Sequence, residues 1–268
     1  MNKYAGGSFE DFLKEEGIFE EVTEHTLRRL QVMEIQDQES QRLLNSVWEK
    51  YNQTDELDRR KAEAEYGLGT HEQAFVEKFP TGARMLDIGC ASGRLCLALA
   101  KLGYTVTGID VAEKQIEQAQ RIAKKESIDV TFLHCEPSTL PFPDASFAAA
   151  FMGNVYCYIP HRAARIAFLE EIARILYPNG HLFLSNSVLD GIFDNYAPIY
   201  DDNYQKFASN YETLEKGDNF WLEEQPIYVH YFFSDDLKAE LEESPFRLLN
   251  SSVENEQVRC VLQRNELG

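Results

Sequence analysis

The stretch Met85-Leu86-Asp87-Ile88-Gly89-Cys90-Ala91-Ser92-Gly93 constrains the fold more than any other part of the chain. An apolar run delivers a carboxylate and then two glycines, separated by three residues, into a turn. A helical pattern follows, with Leu95, Ala98, Leu99 and Leu102 on one face. Glycine permits the sharp reversal and lets the backbone approach a ligand closely, so this reads as a strand, a tight turn and a helix. Gly103 stands where that helix needs a residue tolerant of positive φ.

The same rhythm continues downstream. Strands are expected over Thr105 to Ile109, Val130 to His134, Phe147 to Met152 and His181 to Ser185. Helices are expected over Glu113 to Lys125 and Arg162 to Leu176, with a turn at Pro178-Asn179-Gly180. Strands alternating with helices imply right-handed crossovers and a parallel sheet covered on both faces, hence a doubly wound α/β architecture. Before it, residues 1–80 form an N-terminal extension of helical pattern, in which Leu43, Leu44, Val47, Trp48 and Tyr51 recur at spacings of three and four. Within the α/β part, 81–268, the pattern breaks over 186–226 into an insertion rich in Phe, Tyr and Trp. A further strand from Ile227, a helix opened by Ser234 and a final apolar pair around Phe246 to Leu249 and Val258 to Leu262 follow.

Composition narrows the partners. A formal net charge of -19 opposes phosphate backbones and anionic lipid surfaces, which makes nucleic acid and membranes poor partners. No apolar stretch has the length of a membrane span, and the opening residues do not read as a signal peptide, so a cytoplasmic location is expected. The five cysteines lack paired Cys-x-x-Cys spacing and the histidines form no ligand motif; no metal is expected, and the thiols read as small buried hydrophobes.

Asp110 ends the second strand, twenty-three residues after Asp87. A carboxylate there either caps the following helix or holds both hydroxyls of an adenosine ribose, and the glycine turn beside it favours the ribose. The glycine spacing is not that of nicotinamide and flavin binders, because Ala91 occupies the middle position.

From Ala83 to Ser187 these motifs together resemble the core of class I S-adenosylmethionine methyltransferases, near the group that includes quinone-biosynthesis and small-molecule enzymes. The resemblance implies a mostly parallel, Rossmann-like sheet of seven strands, S-adenosyl-L-methionine as cofactor and methyl transfer to a small-molecule acceptor by in-line displacement. It implies that Asp87, Gly89, Ala91 and Gly93 form the methionine-side loop and that Asp110 holds the ribose. Glu136 would accept from the adenine amino group, and Ser138 would replace the backbone N–H that Pro137 lacks. Asn154 and Tyr156 follow the fourth strand at the ligand-binding edge of the sheet and are expected near the reacting methyl.

The aromatic insertion reads as a lid, with Tyr156, Tyr196, Tyr200 and Trp221 as acceptor-binding candidates. His230, beside that insertion, and Tyr156 are the candidates for a catalytic base. The N-terminal helices either complete the lid, pack plainly or form a homodimer contact. Two other readings stay open: a non-catalytic protein of the same fold that binds S-adenosylmethionine or S-adenosylhomocysteine, and a different adenosine-cofactor enzyme.

Overall fold

The apolar runs of the middle of the chain become neighbouring strands of one sheet. The computed structural model describes residues 37–135, 140–221 and 226–265. Contacts divide the chain into Met1–Arg42, of which residues 37–42 are helical, and Leu43–Gly268. Residues 43–80, grouped with the extension by their pattern, therefore belong to the same unit as the sheet. That unit opens with three helices: α1 (residues 43–51), α2 (Thr54–Glu63) and α3 (Thr70–Val76).

The seven-stranded sheet contains β1 (Arg84–Ile88), β2 (Thr105–Asp110), β3 (Thr131–His134), β4 (Phe147–Gly153), β5 (Leu176–Ser187), β8 (Phe246–Glu254) and β9 (Gln257–Arg264). Its spatial order is β3-β2-β1-β4-β5-β9-β8. The first five are mutually parallel, and β9 enters antiparallel to both β5 and β8. The crossovers carry α4 (Arg94–Lys101), α5 (Glu113–Glu126) and α6 (Arg162–Ile175). α5 and α6 each bury one apolar face, whereas α4 is buried nearly all round, at Leu95, Cys96, Leu97 and Leu99, and Leu102, expected on its apolar face, is exposed. The chain order reverses beside β1, so β1 and β4 open a crevice at their C-terminal ends, where open α/β sheets take ligands.

The expected turn at Pro178-Asn179-Gly180 lies inside β5. Phe147 pairs with Leu176 and Ala149 with His181, so the intervening residues bulge out of register. Asn179 has φ 61°, and a Cβ on Gly180 would lie 2.8 Å from the Tyr177 carbonyl oxygen, which keeps that position small.

Between β5 and β8 the chain leaves the sheet. It forms a short 3-10 turn (Ala197–Ile199), helix α7 (Asp202–Ala208), a hairpin of β6 (Asp218–Trp221) and β7 (Ile227–His230), and helix α8 (Ser234–Glu242). The aromatic residues of the insertion pack on one another: Tyr211 and Phe207 against Phe220, Tyr196 against Phe233. Four of the five cysteines are buried and all are free thiols. No described helix is long and apolar enough to cross a membrane.

Candidate active site

The turn after β1 is held in left-handed conformations at Gly89 (φ 75°), Ala91 (φ 45°) and Gly93 (φ 89°). Only glycine fits the two outer positions. A Cβ on Gly89 would lie 2.2 Å from Val155 Cγ2, and one on Gly93 would lie 2.8 Å from Phe132 Cζ. Ala91 bears its Cβ at a positive φ, a strained state for an L-residue. A local reason for that strain is visible: its backbone N–H donates to Asp110 Oδ2 at 2.8 Å. The other oxygen of Asp110 accepts from Ala112 N–H, also at 2.8 Å. Asp110 thus both opens the following helix and ties the glycine loop to the end of β2.

Asp110 is half-buried, and that burial raises its carboxyl pKa against the opposing backbone hydrogen bonds. Each oxygen keeps a lone pair beyond its one backbone donor. Asp87 lies deeper, 6% exposed beneath the loop, with the Cys96 thiol donating to its Oδ2 at 3.2 Å. Burial pushes its carboxyl up to about 7. Cys90 and Cys96 fill the space between loop and β2: a Cβ on Gly108 would lie 2.6 Å from Cys96 Sγ and 2.9 Å from Cys90 Sγ.

The loop is also fastened from above. Ser92 donates to Gln115 Oε1 and accepts from Gln118 Nε2, both at 2.7 Å. Those amides reach on to the backbone carbonyls of Tyr51 and Leu57. Arg94 grips Glu72 with both terminal nitrogens, at 2.6 and 2.9 Å. Helices α1 to α3 are therefore tied to the turn and to the first turns of α4 and α5.

At the end of β4, Asn154 is exposed, has φ 51° and donates its backbone N–H to the Ser185 carbonyl at 2.8 Å. The 3-10 turn Tyr156–Tyr158 follows, and its two tyrosines have different partners. Tyr156 is fully buried, stacks on Phe232 and donates to Glu240 Oε1 at 2.7 Å. Tyr158 instead shares a hydrogen bond with the Tyr51 hydroxyl at 2.9 Å and meets Trp221 edge-on, with centroids 5.9 Å apart.

Tyr156 enters a buried polar network. Glu240 also receives Arg165, at 2.8 Å from Nε and 2.9 Å from Nη2, and Arg165 reaches Glu215 at 3.3 Å. Burial and the Glu240 carboxylate push the Tyr156 hydroxyl pKa far up, which keeps it protonated and donating to Glu240. His230 sits across the β6–β7 hairpin from Asp218, its Nδ1 2.6 Å from Asp218 Oδ1. Asp218 also accepts from the Tyr228 hydroxyl and from Glu215 N–H, both at 2.8 Å. The His230 partner lowers the Asp218 carboxyl pKa against the raising effect of burial. A cavity of about 240 Å³ is lined by both His230 and Glu240, together with Arg162, Arg165 and Lys216. Ligand atoms of Glu215, Asp218 and His230 come within 4.8 Å of one another. The Arg165 and Arg162 donors already occupy Glu215, so the surroundings do not favour a cation.

The candidates thus separate into groups. Asp87, Gly89, Ala91, Gly93 and Asp110 form the loop and its anchor, and Asn154 caps the neighbouring strand. His230 and Tyr156 share the network of Arg165, Glu215 and Glu240. Trp221 meets Tyr158, whereas Tyr196 and Tyr200 stack on each other in a cluster with Leu189, Ile199 and Phe233. Glu136 and Ser138 lie outside the described residues. Sequence reasoning missed Tyr51 and Tyr231, whose only signal was an aromatic residue within an amphipathic pattern.

A half-buried carboxylate with free lone pairs, beside a turn whose outer positions tolerate no Cβ, is a donor set that fits an adenosine-bearing cofactor. Comparison with known proteins agrees with the sequence resemblance. Residues 86–184 match a family described as a methyltransferase domain. The chain is 37% identical over 111 residues to the 27-O-demethylrifamycin SV methyltransferase of Amycolatopsis mediterranei, an alignment covering 40% of each chain. It thus spans about two fifths of that relative's length. A SAM-dependent methyltransferase of Methanosarcina mazei superposes with a TM-score of 0.64 at 23% identity, covering 74% of this chain and 99% of that one. The 1,6-didemethyltoxoflavin-N1-methyltransferase of Burkholderia thailandensis, solved with 1,6-didemethyltoxoflavin and S-adenosylhomocysteine, gives 0.63 at 16% identity. It covers 86% of this chain and 91% of its own. At these identities the structures establish the fold.

Proposed function

We propose that this chain, whose residues 86–184 match a methyltransferase domain family, is a class I enzyme that transfers a methyl group from S-adenosylmethionine to a small-molecule acceptor. The observation that carries the reading is the bond from Ala91 N–H to Asp110, which joins the glycine loop and the strand-end carboxylate at the crevice of the sheet. When bound, the cofactor would supply an activated methyl on a sulfonium, with a neutral thioether as its leaving group.

Asp110 would hold the ribose hydroxyls, and the Gly89–Gly93 loop would cradle the methionine end. Glu136 and Ser138 are assigned to the adenine. Asp87 supports the loop from below rather than touching ligand, and Asn154 flanks the reacting end. Because the sulfonium is already activated, placing the acceptor close and aligned in a dry pocket supplies most of the rate. Tyr156 is assigned a positioning role through Glu240. His230 keeps Nδ1 for Asp218, and its Nε2, which carries no hydrogen bond from a described residue, is assigned as the candidate base.

The N-terminal helices and the insertion 186–226 are read as one acceptor-binding cover. In support, Leu43 and Val47 of α1 share a buried apolar cluster with Phe220 of the insertion, and just past it Tyr228 N–H donates to Ser46 Oγ at 3.1 Å. The net charge of -19 supports action on small molecules rather than on nucleic acid. Incubation with methyl-labelled S-adenosylmethionine and a panel of hydroxylated, amino and thiol acceptors tests the reading. Label is expected in at least one acceptor, and a chain that binds cofactor yet labels none would support the non-catalytic alternative.

A further inference from the structure

The methyl-transfer reading leaves the acceptor open, and one wall beyond β4 narrows it. Four aromatic side chains from separate stretches converge there: Tyr51 of α1, Tyr158 of the 3-10 turn, Trp221 at the end of β6 and Tyr231 just after β7. The Tyr51 and Tyr158 rings meet edge-on with centroids 5.7 Å apart, and Tyr158 meets Trp221 in the same way at 5.9 Å.

The polar atoms of these side chains are paired. The Tyr51 and Tyr158 hydroxyls share one hydrogen bond at 2.9 Å, and Trp221 Nε1–H donates to the Tyr231 hydroxyl at 2.8 Å. Each pair thus contains one hydroxyl that accepts a hydrogen bond and gives its own hydrogen to no described residue. Accepting one bond polarises a hydroxyl toward donating the next. Burial raises the pKa of Tyr158 and of Tyr231, so both remain protonated donors. Trp221 is 36% exposed, which leaves part of its indole uncovered beside the mostly buried Tyr158.

A ligand matched to this wall must meet two requirements together. It must cover aromatic surface, and it must bring oxygen to two waiting O–H donors. An aliphatic alcohol supplies oxygen without a π face. An arene without oxygen covers the rings but strands the donors, and buried unpaired donors are costly. We infer that the acceptor is a planar hydroxyarene, bound against Tyr158 and Trp221 with an oxygen accepting from the free hydroxyl of the Tyr51–Tyr158 pair or from Tyr231. Its methylation rests on the methyltransferase reading; its binding does not.

Calorimetric titration of the full chain with 2,3-dihydroxynaphthalene, naphthalene and decahydronaphthalene-2,3-diol, with and without S-adenosylhomocysteine, tests this. The dihydroxyarene is expected to bind about tenfold or more tighter than either control. Tyr158→Phe and Tyr231→Phe should each weaken it about three- to tenfold, and Trp221→Leu by about tenfold or more. The tyrosine variants remove only an oxygen, and unchanged circular dichroism will show that they fold. Equal binding of the dihydroxyarene and the saturated diol, or binding indifferent to all three substitutions, overturns the inference. If the arene preference holds while S-adenosylhomocysteine fails to bind, the aromatic site stands and the methyltransferase reading falls. If S-adenosylhomocysteine binds and the preference is absent, the acceptor class is wrong and the cofactor assignment stands.

Discussion

Asp110 Oδ2 accepts the backbone N–H of Ala91 at 2.8 Å, across nineteen residues of chain. That bond makes the end of β2 a structural support of the glycine loop as well as a ligand group, and it bears directly on what a substitution at Asp110 will do.

Asp110→Ala removes an acceptor for two ribose hydroxyls and also releases the Ala91 and Ala112 N–H groups. Affinity for S-adenosylmethionine and S-adenosylhomocysteine should fall about thirty- to hundredfold, corresponding to about 2–3 kcal/mol. Calorimetry on the folded variant measures it, and unchanged affinity would refute the ribose assignment.

Asp87 gives a pH dependence of stability. Burial raises its carboxyl to about 7, opposed by the Cys96 thiol and the Arg94 charge. The native state therefore retains a proton that the unfolded chain loses in the ordinary carboxylate range. The contribution of Asp87 is fully present below that range, declines as pH rises and is gone above about 7. A displacement of that size amounts to about 4 kcal/mol at most. Asp87→Asn stays neutral throughout, so it should exceed the parent in stability at pH 8 and lose much of that advantage at pH 5. Urea denaturation at both values checks the sign, and an equal difference at each would refute it.

Gly89→Ala should destabilise the chain by about 1–3 kcal/mol, because the new Cβ meets both a positive φ and the Val155 side chain. Trimming the neighbour in Gly89→Ala/Val155→Ala relieves the steric part only. A double-mutant cycle in urea should show favourable coupling between the two sites, and strict additivity would refute the packing argument.

Arg165→Met leaves Glu240 buried with its main cationic partner removed and should cost about 3–5 kcal/mol. Adding Glu240→Gln removes the stranded charge and should recover a large part of the loss. Thermal unfolding of the single and double variants decides it; no recovery would mean that shape rather than charge governs this network.

Much of this was legible in the sequence. The strand from Met85, the turn, α4 and the carboxylate at Asp110 were readable because each is a local pattern whose meaning lies within about ten residues. The α/β alternation follows from the same short-range periodicity. What stayed hidden is non-local. Tyr51 and Tyr158 are separated by 107 positions in the chain, and neither residue carries a mark of the other. The terminal apolar pair was visible, but nothing local says that β9 inserts between β5 and β8. His230 looked like a free base because its opposite number, Asp218, lies in a strand that the aromatic pattern concealed. The bulge in β5 was mistaken for a turn before the strand, since Pro-Asn-Gly reads alike in both settings.

The position of β9 has a consequence for the order of assembly. It pairs with β5 on one side and β8 on the other, yet it follows every other described strand in the chain. During synthesis the parallel half, with its glycine loop, emerges long before β9. Until β9 arrives, β5 presents an open row of unpaired backbone groups, the kind of edge that invites pairing with another chain. The crevice that would hold the cofactor is thus made early, and the strand that shields β5 comes late, so solubility during expression rests on a segment far from the chemistry.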